Sequence, residues 1–154
     1  MRHGITVIAA FLIALASLDA RARDGADVSR AEIQAERRSI VEATMKLDQA
    51  QAGLFWPLYQ EYRDELAPVN EQWFELIDDY TAAYETLTDA QASEMLDRWL
   101  GIEHRALEVR QKWVRRFRKA LPARVVARYF QLDNKLDAVI REELARVIPL
   151  ARAM

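Results

Sequence analysis

Beyond residue 22 the chain carries one histidine, His104, no cysteine, and three serines, Ser29, Ser39 and Ser93. A nucleophile needs a base within hydrogen-bond reach, and no spacing here suggests such a pair, so neither enzymatic activity nor a catalytic residue is expected. His104 and Glu108 stand at i and i+4, with Asp97 two turns earlier on the same side, a spacing that in geometry suits a metal ion. The same helical phase groups His104 with Gln111 and other polar positions. An exposed surface histidine is therefore the expectation and metal binding the alternative, with no metal ligand and no cofactor assigned.

Charge is more informative than nucleophiles. Between Lys46 and Arg98 the sole cation is Arg63, against twelve carboxylates, whereas Val109 to Leu132 contains no acid and eight cations. Six of these, Arg115, Arg116, Arg118, Lys119, Arg124 and Arg128, crowd a helix corner and form a candidate site for a protein or another anionic partner. The competing expectation is internal pairing. Reflecting the chain about Thr88 sets Glu61 near Arg115 and Asp64 near Lys112, and cations late in a helix also favour its dipole. Arg124 and Arg128 fit internal pairing least, because cations near a helix start oppose the dipole.

These residues must be positioned by helices. Four glycines, four prolines and a dominance of Ala, Leu, Glu and Arg predict an all-α chain of four antiparallel helices in an elongated hairpin bundle. Leu47-Asp48-Gln49-Ala50-Gln51-Ala52 and Leu87-Thr88-Asp89-Ala90-Gln91-Ala92 repeat one pattern 40 residues apart. Asp48 and Thr88 can each accept from the backbone N–H three residues on, while Gln51 and Gln91 reach back, so both strings predict helix starts. Ser29 with Glu32 predicts a third such start, for a first helix carrying Ile33, Ile40, Val41, Thr44 and Leu47.

The second helix is expected from Gln49 to about Thr86, since Phe55, Leu58, Tyr62, Leu66, Val69, Trp73, Leu76 and Tyr80 keep helical steps across Pro57 and Pro68. Proline removes one hydrogen bond and crowds the preceding turn, so bends rather than breaks are expected there. The third, from Asp89 to about Lys119, is predicted to bury Leu96, Trp99, Leu100, Ala106, Leu107, Trp113, Val114 and Phe117. Glu103 and Arg110 fall inside that stripe and call for polar partners on another helix, with Gln131, Asn134 and Lys135 as candidates. After Leu121-Pro122 a fourth helix follows, lined by Val125, Tyr129, Leu132, Leu136, Leu144 and Val147. Trp56 and Tyr59 lie at the margin of the second stripe, where aromatic surface for a partner is expected.

At the N-terminus, Arg2, an uncharged run from Ile5 to Leu18 and Ala20-Arg21-Ala22 read as a signal peptide over residues 1–22, too short an apolar run to span a bilayer. Residues 23–154 are then a single exported helical domain, with no transmembrane segment. Removing the leader's net +1 from the chain's −2 leaves −3, which argues against a bulk polycation and a nucleic-acid partner. Without cysteine, the domain rests on its core.

The leader, the cysteine-free helical layout and the two Leu-Asp/Thr-x-x-Gln corners together resemble the Spy/CpxP-like periplasmic proteins with LTxxQ motifs. Leu87-Thr88-Asp89-Ala90-Gln91 matches in full, and Asp48 replaces threonine in the first copy. The resemblance implies a periplasmic protein, often dimeric, acting as an ATP-independent chaperone or envelope-stress adaptor on protein clients or a signalling partner. A metal-binding or metal-sensing role and a purely structural envelope role are the alternatives.

Overall fold

The computed structural model describes the chain from residue 26 to residue 152, with side chains from residue 35. The expected signal peptide lies outside the described residues. Four α-helices and no strand occur among them: α1 (Ala26–Met45), α2 (Gln49–Ala83), α3 (Asp89–Ala120) and α4 (Ala123–Val147), with one 3₁₀ turn at Tyr84–Thr86. The chain divides into two compact units, Met1–Leu47 and Asp48–Met154.

The first unit contributes α1, whose Arg37, Ile40, Val41 and Met45 are buried. It begins at Ala26, ahead of Ser29, so Ser29 lies within the helix and not at its start. It ends on Lys46, whose φ of 49° is left-handed, a conformation in which a Cβ is disfavoured and glycine is the usual occupant.

In the second unit the expected caps form. Gln51 N–H donates to Asp48 Oδ1 at 2.8 Å. At Thr88 the box is complete: Gln91 N–H donates to Thr88 Oγ1 at 3.3 Å, and Thr88 N–H to Gln91 Oε1 at 3.0 Å. Helix α2 runs unbroken through Pro57 and Pro68. Cross-helix pairs then fix the register: Asp79 with Arg98 at 2.8 Å, Gln72 with Arg105 at 2.7 Å, Glu65 with Lys112 at 2.8 Å, and Glu61 with Arg116 at 3.1 Å. As the residue number falls along α2 it rises equally along α3.

Two packed regions hang on that ladder. At one end Phe55, Tyr59, Tyr62, Trp113, Phe117 and Tyr129 are buried and meet mostly edge to face, with Phe55 and Tyr129 centroids 5.0 Å apart and Phe117 and Phe130 5.6 Å apart. Tyr59 is thus core, because its ring packs on Phe55 and Tyr129, and it offers no partner surface. At the other end Val69, Leu76 and Ile102 are buried against Trp73, Met95 and Ala106. The chain end closes over α2: Tyr80 Oη donates to the Pro149 carbonyl at 2.8 Å, and Arg152 pairs with Glu85.

Candidate functional site

Behind the aromatic rings lies a polar network centred on Asp133. Asp133 is 1% exposed, accepts a hydrogen bond from Tyr62 Oη at 3.0 Å and lies 3.6 Å from the Arg63 guanidinium. Burial, with the Asp133 carboxylate adding to it, pushes the Tyr62 phenol well above its ordinary range, and burial does the same to Tyr129. Arg110 and Asp137 meet at 3.2 Å, and Arg141 and Glu103 at 3.2 Å. Arg110 and Glu103 therefore find α4 partners, as expected, but these are Asp137 and Arg141 in place of Gln131, Asn134 or Lys135. A buried charge must be paired to be tolerated, so the network fixes how α2, α3 and α4 seat. A signal existed: Asp133 sits in step with Tyr129 and Leu136, a lone acid on an apolar line.

Three cations of the basic segment, Arg110, Lys112 and Arg116, are absorbed internally. Lys112 and Trp113 Nε1 both donate to Glu65 at 2.8 Å, which holds its carboxyl below the usual carboxylate range. Arg116 pairs with Glu61 while stacking 4.2 Å over the Trp113 ring. The register is one residue away from simple reflection about Thr88, so Arg116 replaces Arg115 and Glu65 replaces Asp64. Arg115, Arg118, Lys119 and Arg124 are exposed and enter no ion pair among the described residues, and Arg128 is also exposed. The α3–α4 corner thus keeps a cationic surface after internal pairing has taken its share.

The larger departure from the predicted core is on α3. Ile102, Trp113 and Phe117 are buried as its inner line, but Leu96, Leu100, Leu107 and Trp99 remain 58%, 56%, 48% and 44% exposed. The physical cause is phase. A helix turns about 100° per residue, so the line through Met95 and Ile102 and the line through Leu96 are neighbours, and only one can face α2. The bulk of Val69, Leu76 and Trp73 selects the former. Leu96, Leu100 and Leu107 fall within about 40° of one another on the open side, with Trp99 flanking them. On α4, likewise, Val126 and Asp133 are buried in place of Val125 and Leu132, while Val147 is 68% exposed.

His104 is exposed, as expected, with Nε2 3.5 Å from Glu108 Oε1. Among the described residues no group of three or more potential metal ligands is assembled. None of the described helices is long and apolar enough to cross a membrane. What the second unit presents is a firm core, a cationic corner and one open apolar line on α3. No protein-family model matches the chain, and no curated protein and no solved structure matches it.

Proposed function

We propose that this chain is a periplasmic helical binding protein, chaperone-like or an envelope-stress adaptor, which acts without ATP and without enzymatic chemistry. The observation that carries this reading is the α3 stripe: Leu96, Leu100 and Leu107 in one line on a well-packed helix, with Trp99 flanking them, each about half open to solvent. Water-exposed apolar lines of this extent are costly to leave uncovered and mark interaction sites. Unfolded or membrane-associated clients would place apolar segments along it, with the cations of the neighbouring corner drawing acidic segments closer. The resemblance to the Spy/CpxP-like proteins supports the same reading.

The test is suppression of aggregation of a heat-labile enzyme, followed by light scattering. Equimolar protein is expected to lower scattering, and Leu100→Glu with Leu107→Glu to remove that effect while far-UV circular dichroism is unchanged. Undiminished scattering with the unaltered protein overturns the reading.

A further inference from the structure

We propose that the α3–α4 corner docks on an anionic phospholipid bilayer and holds the chain at a membrane face by its basic end, without spanning it. The proposal stands apart from the α3 stripe and from any client held there.

Charge comes first. Arg115, Arg118 and Lys119 stand at i, i+3 and i+4 near the end of α3, within about 100° of one another, and Arg124 and Arg128 stand one turn apart at the start of α4. All five are exposed, and Arg115, Arg118, Lys119 and Arg124 enter no ion pair among the described residues. Like charges at i, i+4 destabilise a helix, and Arg124 opposes the dipole of α4 as well. No acid lies between Val109 and Leu132. The acids that α2 brings to this part of α3 are engaged: Glu61 with Arg116, Glu65 with Lys112, and Asp64 with Gln60, while Asp48 caps its own helix.

What accompanies the cations selects a bilayer over an acidic protein. Four of the five are arginine, whose planar fork takes two phosphate oxygens at once and whose stem suits the apolar side of a headgroup layer. The Phe55 ring packs on Phe117 and Tyr129, the chain neighbours of Arg118 and Arg128, which brings the start of α2 to the same level. There Leu54 is 52% exposed and Trp56 is partly exposed, a pairing of aliphatic and indole groups that settles at headgroup depth. An acidic protein segment is served by the cations alone, whereas a bilayer uses both. The chain's net negative charge does not oppose this approach. Asp89, at the other end of α3, lies about 44 Å from Arg118 at 1.5 Å per residue, several Debye lengths at physiological salt.

Co-sedimentation with vesicles tests this, phosphatidylcholine alone against phosphatidylcholine mixed with phosphatidylglycerol. Binding is expected only with the anionic mixture, with loss as salt approaches about 1 M. Arg118→Gln with Arg124→Gln should lower partition about 25-fold, at about fivefold for each cation, with far-UV circular dichroism unchanged. Arg105→Gln, about 20 Å back along α3, should leave partition nearly unaltered. Leu54→Ser should lower it about fivefold. Fluorescence should shift to the blue on anionic vesicles, and the shift should be absent in Trp56→Phe. Failure to bind the anionic vesicles overturns the proposal, as does an equal loss in Arg105→Gln, which would reduce the effect to net charge. Polyglutamate bound as tightly as the vesicles, with Leu54→Ser without effect, overturns it in favour of an acidic protein partner.

Discussion

The two ends of α3 are both rich in tryptophan and leucine-like bulk, yet they behave oppositely. Around Trp113 and Phe117 the rings of Phe55, Tyr62 and Tyr129 are buried, and Lys112 and Arg116 are matched by Glu65 and Glu61. Around Leu96 and Leu100 the inner line is narrow, with Ile102 and Ala106 where the other end has indole and phenyl, and the larger side chains look outward. Size alone therefore does not place a residue inside. The aromatic end satisfies itself, while the leucine end leaves apolar area for something else to satisfy.

Three measurements probe this difference. The largest effect is expected from paired truncations on the same helix. Phe117→Ala, at a site with no exposure and rings on every side, should cost about 3–5 kcal/mol in urea unfolding. Leu107→Ala should stay within about 0.5 kcal/mol under conditions where the protein is monomeric. Comparable losses at both positions would erase the distinction.

An intermediate effect is expected in alkali. The folded state binds the phenolic protons of Tyr62 and Tyr129 more tightly than the unfolded chain does. Stability from this source is fully present below the unfolded tyrosine value near 10 and declines as pH rises above it. Urea midpoints compared at pH 8 and pH 11 should show that decline, shallower in Tyr62→Phe. An identical slope in the variant would mean that the aromatic end does not carry it.

The smallest effect has the opposite sign. Arg124 occupies the first turn of α4 with no ion-pair partner among the described residues, against the helix dipole. Arg124→Glu should raise stability by about 0.5 kcal/mol in thermal melts, a gain that identifies a cation kept at the corner for reasons other than folding. A loss of stability would instead reveal an internal role.

Much of this was legible in the residues. The caps at Asp48 and Thr88 are local chemistry, three residues wide; both side chains accept the expected N–H, the reciprocal glutamine bond forms at Thr88, and the bounds of α2 and α3 followed. The pairing of acidic α2 with basic α3 was readable from a short corner, with an error of a single residue. What failed was the choice between adjacent apolar lines on α3, because a sequence shows which positions are apolar but not which line the neighbour's bulk will select. Tyr59 was misjudged for the same reason, and Ser29 because a good capping residue is equally tolerated inside a helix. Asp133 and Arg63 were overlooked because their meaning depends on a contact 70 positions away in the chain.

The α2–α3 ladder also has a temporal meaning. Its rungs lie at steadily growing separations, with Gln72 and Arg105 33 residues apart and Glu65 and Lys112 47 apart, and all open outward from the capped corner at Thr88. Loop closure costs grow only logarithmically with length, and each rung leaves the next pair already close. Each rung of the α2–α3 pair therefore shortens the loop that the next must close, from Thr88 outward.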